Sequence, residues 1–145
     1  MKLMQIKKIS TKPSFYPGKR GCFDDNGVTL SSILIDKNNI LKCYYVGIDV
    51  GAITRYNASI GLASSYDNGI TFIRDYEGPI ITQDKNNPYF VAAPFVMLDD
   101  SVYKIWFPAC HGWKYKNNYW LHYYNIEYAE STDGINWNRN NSRIC

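Results

Sequence analysis

The stretch IEYAESTDGINWNR, residues 126–139, has an imperfect twin in IGLASSYDNGITFIR, residues 60–74. A chain that repeats itself at long range builds one supersecondary unit more than once, and this restricts the fold more than composition does. Setting Ile33 on Phe95 lays ILKCYY (40–45) on VYKIWF (102–107) without a gap. Lys42 then falls on Lys104, Tyr44–Tyr45 on Trp106–Phe107, and Asp25 on Asn87. Further along, Ala63 falls on Ala129, so the middle loop of the second copy is longer. Both copies end in A-x-S-x-D-G/N-G-I-x-F/W-x-R. Two units are expected, at about 22–80 and 85–145, within one domain spanning 1–145.

Each unit reads as four strands. In the first they are 28–35, 40–48, 58–65 and 70–74; in the second 89–98, 102–109, 123–131 and 135–139. Runs of β-branched and aromatic residues make these segments, and Asp-Asn-Gly and Asp-Gly supply hairpin turns. Loops are expected at 49–57 and 110–122. Pro94 and Pro108 interrupt two of the runs, so their strands are edges, bulged, or near a break in pairing. No dozen-residue run has a 3.6 period, which leaves little room for helix. The fold class is all-β: two four-stranded antiparallel propeller blades, each too small to bury both faces alone. An eight-stranded β-sandwich is the competing arrangement.

Composition narrows the function. The 145 residues are 46% hydrophobic and 16% aromatic, enough for a packed core. The net charge of +3 is scattered, so no nucleic-acid partner is expected. No 18-residue apolar run points to a membrane, and no signal-like apolar segment follows the first lysines, so the expectation is a cytoplasmic chain. Cys22, Cys43, Cys110 and Cys145 lack CxxC spacing and are expected as reduced thiols. With only His111 and His122 beside them, neither a metal nor a cofactor is expected.

The segments PGKRGCFDDNGV (17–28), NNPYFVAAPFV (86–96) and YAESTDGINWNR (128–139) together resemble the five-bladed β-propeller glycosidase superfamily of arabinanases, β-xylosidases, invertases and levansucrases. The resemblance covers about residues 13–140 and is closer to bacterial relatives encoded among surface-polysaccharide genes. It implies two of five blades, a carbohydrate ligand, and remaining blades supplied by a longer polypeptide or by self-association. Enzymes of the superfamily place carboxylates on the inner strands, since glycoside cleavage needs one acid and one base or nucleophile. Here those positions fall near Ser31–Ser32 and at Ala93, and neither is acidic. The function expected is a glycosidase-like domain acting on or binding a carbohydrate. The alternative is a non-catalytic binding piece or a remnant of a longer propeller.

Asp24 and Asp25, just upstream of the first inner strand, are the candidate catalytic carboxylates; Asp-Asp-Asn-Gly is also plain turn chemistry. Arg55 and Tyr56 in the first loop, Asn87, and His111 with Trp113 in the second loop are candidate sugar contacts, the ring of Trp113 by stacking. Glu127 and Glu130 complete the set, and both are expected on one strand face; a solvated face or pairing with a neighbouring Arg or Lys is the plainer reading. Phe72 and Trp137, at matching places, are expected in the core.

Overall fold

The computed structural model describes residues 9–139, and they form two antiparallel sheets with no helix among them. The first sheet runs in the order β1 (Gly27–Ile35), β2 (Leu41–Asp49), β3 (Asn57–Ser65) and β4 (Ile73–Arg74). The second contains β5 (Phe95–Asp99), β6 (Val102–Lys116) and β7 (Tyr119–Ser131). A single bridge, Glu130 to Asn138, stands where its fourth strand was expected. The final strand of each unit is thus shorter than the sequence suggests, because the turns before them consume residues in side-chain-to-backbone bonds. In the first, Ser65 Oγ accepts from Gly69 N at 2.8 Å and Asp67 Oδ1 from Thr71 N at 2.9 Å. In the second, Ser131 Oγ accepts from Gly134 N at 2.9 Å and Asp133 Oδ1 from Asn136 N at 2.8 Å. The repeated S-x-D motif is therefore turn machinery.

Strand β2 is buried on both faces because it lies between two cores. Tyr44 points to the second sheet and joins Ile60, Leu62, Ile105, Phe107 and Ala109 in the core between the units. Cys43 and Tyr45, one residue to either side, point away and pack with Phe15, Ala63 and Phe72. That second core is closed by the chain before β1, where Phe72 N donates to Ser14 O at 2.9 Å. Ile105 and Phe107 are fully buried, and truncating Ile105 to Ala would cost about 3 kcal/mol through lost transfer energy and a cavity. Phe72 is buried as expected; Trp137 packs half-buried on the inter-unit core.

Strand pairing corrects the sequence alignment of the two units by one residue. Tyr44 faces Ser32, and its equivalent Trp106 faces Phe95. Ser32, not Ile33, therefore corresponds to Phe95. The first inter-strand turn passes through Asp36–Ile40, with Asp36 Oδ1 accepting from Ile40 N. The second is tighter, with positive φ at both Asp100 and Ser101, the geometry of a two-residue hairpin. One residue is lost there, and Asp24 becomes the counterpart of Asn87. A gapless match of side-chain types could not register a deletion inside a turn.

Two further differences concern the second unit. The segment 89–98 is a strand only over Phe95–Asp99, with an isolated bridge from Val91 to Ala109. Ala93, at φ +41, and the buried Pro94 break the run, as a proline predicts. Residues 110–122 are no loop. Strands β6 and β7 continue as a long hairpin arm, turned by Asn117 and Asn118 at φ +51 and +65. The alternating aromatics of WKYKNNYWLHYY already carry this strand grammar around an Asn-Asn turn.

Candidate functional site

The chain segments entering β1 and β5, the β2–β3 loop and the base of the arm gather at one end of the two sheets. They place three of the sequence candidates together. Asn87 Nδ2 donates to Glu127 Oε1 and Oε2, both at 2.8 Å, and His111 Nε2 lies 3.8 Å from Glu127 Oε1. His111 is the inserted residue of a β-bulge, since Cys110 pairs with Tyr124 and Gly112 with Tyr123. A bulge re-aims a side chain that would otherwise follow the strand's alternation, and here it turns the imidazole toward the buried acid. Arg139 completes the cluster, with NH2 3.3 Å from Glu127 Oε2 and NH1 2.7 Å from Asp84 Oδ2.

The first unit holds a related cluster with its acid elsewhere. Asp24 is fully buried, and its Oδ2 accepts from Arg74 Nε at 2.7 Å and Tyr45 Oη at 3.1 Å. Arg74 NH2 approaches the same oxygen at 2.6 Å. Burial first, then the Asp24 charge, pushes the Tyr45 phenol far above its usual range, so Tyr45 stays a donor. Arg74 and Arg139 close the same motif, and each guanidinium lies over the equivalent ring, Tyr45 or Phe107, at 5.9 and 5.4 Å. Across from Tyr45 is Gly61; across from Phe107 is Glu127. A Cβ on Gly61 would stand 2.3 Å from Tyr45 Cζ, so only glycine fits beneath that ring. The acid has changed places: Asp24 and Gly61 in one unit, Asn87 and Glu127 in the other.

The remaining candidates separate. Asp25 is half-buried at the entry to β1, where its Oδ2 accepts from Gly21 N at 2.8 Å. Arg55 is exposed on the β2–β3 loop. Glu130 is exposed on the opposite face of β7 from Glu127, beside Tyr128, whose hydroxyl donates to it. The expectation of a shared face is thus corrected: side chains alternate with period two, and three residues is an odd spacing. Trp113 stands in an aromatic cluster at the base of the arm. Its ring is 5.9 Å from Phe90, 6.2 Å from Tyr56 and 5.4 Å from His122. Beside that cluster a groove of about 330 Å³ runs between the units, lined by Val46, Tyr56, Phe90, Pro108, His122 and Tyr124. Of the first-loop pair, Tyr56 lines this groove while Arg55 does not; sequence reasoning missed Arg74 and Arg139, although both close the repeated motif, and missed Phe90, His122 and Tyr124, whose meeting depends on the arm.

The positions where the resemblance implies inner-strand acids are structured but uncharged. Ser31 is the exposed extra residue of a bulge in β1. Ser32 is buried and bonds the backbone of β5, accepting from Val96 N at 3.0 Å. Ala93 is exposed at positive φ, a strained place for a non-glycine residue. Cys22, Cys43 and Cys110 are free thiols, and burial raises Cys43 to about 11; Cys145 lies outside the described residues. No helix among the described residues is long and apolar enough to cross a membrane.

Against solved structures, the chain superposes on the Bombyx mori GH32 β-fructofuranosidase with a TM-score of 0.63, covering 89% of this chain and 24% of that one at 19% identity. A GH130 structure gives the same TM-score at 16% identity, over 88% of this chain and 38% of the other. That family is described as mannoside phosphorylases containing glycoside hydrolases that target β-1,2 mannosidic linkages in Candida mannan. A glycosyl hydrolase from Bacteroides ovatus gives 0.59 at 18% identity, over 77% and 30%. The fold is that of the propeller glycoside hydrolases. At these identities the likeness is one of fold, and each neighbour is matched only in part. No family model matches the chain. Two curated relatives, uncharacterized proteins of Mycobacterium tuberculosis strains CDC 1551 and H37Rv, are 31% identical over 135 residues. The match takes in 93% of this chain, which spans only 44% of the relatives' length.

Proposed function

We propose that this chain is part of a glycosidase-like propeller that binds a carbohydrate, with surface polysaccharide as the ligand class, and that the described units do not themselves cleave it. The observation that carries this reading is the aromatic groove between the units. Tyr56, Phe90, His122 and Tyr124 line it, and Asn87, His111 and Glu127 lie at the same end of the sheets. Stacking on aromatic faces with a few fixed polar groups is how sites for sugars combine affinity and orientation. Trp113 supports the groove through its edge contacts with Tyr56 and His122.

Cleavage requires two carboxyl groups free to reach the glycosidic oxygen and the opposite ring face. Asp24 is enclosed by Arg74 and Tyr45, and Glu127 by Asn87 and Arg139. Asp25 is the candidate acid that remains half-exposed, and a single carboxylate cannot serve both roles. Ser31 and Ala93, at the inner-strand positions, supply none. The relatives' length also fits a larger ring: 135 residues are 44% of it, so it is about 300, near five repeats of this unit.

Calorimetry of the folded chain against a panel of oligosaccharides tests the reading, paired with hydrolysis of aryl glycosides. Binding weakened by Tyr124→Ala, without turnover above that of Asp25→Asn, is expected. Turnover abolished by Asp25→Asn would replace it with a catalytic one, and absence of binding throughout would remove it.

A further inference from the structure

Scattered along the sequence, the chain's excess positive charge is gathered by the fold. The β2–β3 loop over 50–56 and the arm over 110–124 carry Arg55, Lys114 and Lys116 and no Asp or Glu. The other 13 of the chain's 16 lysines and arginines equal its 13 aspartates and glutamates in number, so the net charge of +3 matches these three residues. Lys19, Lys42, Arg74, Lys104 and Arg139 each meet a carboxylate, whereas Arg55, Lys114 and Lys116 form no ion pair among the described residues. Arg55 sits where loop, arm and groove meet. On one side of it in the chain, Thr54 lines a small apolar slot with Trp113 and Trp120 of the arm. On the other, Tyr56 lines the aromatic groove, and the Arg55 side chain between them is exposed. Burial first, then the Cys110 thiol, raise the Tyr56 phenol, and the Arg55 charge opposes that rise, so its field reaches the groove wall. Lys114 and Lys116 alternate with Trp113 and Tyr115 and so occupy the arm's other face, the Lys114 ammonium 4.8 Å over the Tyr123 ring. Of the acids at this end, Glu127 is enclosed by Asn87 and Arg139, and Asp49 ends β2 at the root of the loop, opposite Asn57.

We infer that the groove selects an acidic oligosaccharide, one whose sugar rings bear carboxylates, and that Arg55 takes a carboxylate while Tyr56 and Tyr124 hold the ring. This rests on the carbohydrate reading above and adds the charge of the ligand to it. A guanidinium presents a planar fork that matches a carboxylate with two hydrogen bonds, which gives orientation as well as attraction. Lys114 and Lys116 extend the positive potential along the arm, where further carboxylates of the same ligand are drawn in. Complementary charge of this kind sets which partner binds, because a neutral sugar gains nothing from it. A nucleic acid fits less well: its backbone calls for a broader basic face than three cations provide.

Calorimetry of the full chain tests this with tetrasaccharides of galacturonic, glucuronic and mannuronic acid, each beside its carboxyl-reduced, neutral form. At least one acidic form should bind about tenfold more tightly than its neutral partner. Added salt should weaken the acidic form alone. Arg55→Gln should bring that pair within about twofold of each other, whereas Tyr124→Ala should weaken both members. Because Arg55 is exposed, its variant should melt as the parent does. Neutral forms bound as tightly as acidic ones would overturn the inference and leave the carbohydrate reading standing, and so would an acid preference that survives Arg55→Gln. Binding of no tetrasaccharide would overturn both. A single-stranded oligonucleotide bound more tightly than every acidic tetrasaccharide, and released by Arg55→Gln, would overturn it in favour of a nucleic acid.

Discussion

Arg74 and Arg139 stand at the same place in their two units and meet acids that come from different strands. Arg74 holds Asp24, which precedes β1, and Arg139 holds Glu127, which lies within β7. The positive end of the clamp is shared by both units, and the negative end has moved across the sheet. The compensation is steric as well as electrostatic: Tyr45 fills the space above Gly61, and Phe107, lacking a hydroxyl, leaves Asn87 and Glu127 to bond each other.

Removing either acid's charge should be costly. Asp24→Asn leaves the mostly buried Arg74 guanidinium without its carboxylate partner, whereas after Glu127→Gln Arg139 still pairs with Asp84. A loss of about 3 kcal/mol is expected for Asp24→Asn and a smaller one for Glu127→Gln, since breaking a buried pair from one side exceeds what the pair contributes net. Urea unfolding measures it, and a loss below about 1 kcal/mol would show that other contacts hold these arginines.

A second tie joins the units. Tyr44 Oη donates to Gly134 O at 3.0 Å, and Gly134 has φ +74. An added Cβ would lie 2.6 Å from that same hydroxyl. Gly134→Ala should cost about 2 kcal/mol from backbone strain and overpacking. Tyr44→Phe should cost about 1 kcal/mol from the lost hydrogen bond. The double variant should lose less than the sum, because removing the hydroxyl relieves the clash; an additive result in thermal melts would refute the shared contact.

Acid should loosen both repeat turns. Hydrogen bonds from Thr71 hold Asp67 down to about 2, and those from Asn136 hold Asp133 lower still. A depressed carboxylate stabilises fully above its unfolded value, near 4, and that contribution is lost as pH falls toward the folded value. Stability should therefore decline between about pH 4 and pH 2. In the double variant Asp67→Asn, Asp133→Asn this part of the profile should flatten; an unchanged slope in melting temperature against pH would assign the acid sensitivity to other groups.

At the groove, Tyr124 and Trp120 separate site from surface. Tyr124 lines the groove beside His122, whereas Trp120 is further along the arm, its ring tilted against that of Tyr115. Tyr124→Ala should weaken oligosaccharide binding about tenfold, the loss of one aromatic contact of roughly 1.4 kcal/mol. Trp120→Ala should leave the affinity within about twofold. Equal losses in titration calorimetry would move the binding surface outward along the arm.

The duplicated motif, its strand grammar and its hairpin signals determined the all-β blade architecture, because each is a local preference written in consecutive residues. Pro94 announced the break in β5, and the Phe72 and Trp137 positions announced packing, since equivalence across copies reports a shared environment. The exact register was decided only in three dimensions: a residue lost within a turn moved Asp24, rather than Asp25, onto Asn87. Tertiary structure alone also decided that Asp24 faces Arg74 and that a bulge aims His111 at Glu127, whereas the strand grammar of the arm lies in the consecutive residues 113–124. The physical reason is common to the first two. Charge pairing and bulge geometry depend on side chains brought together across strands and between units, and no single stretch of sequence contains both partners.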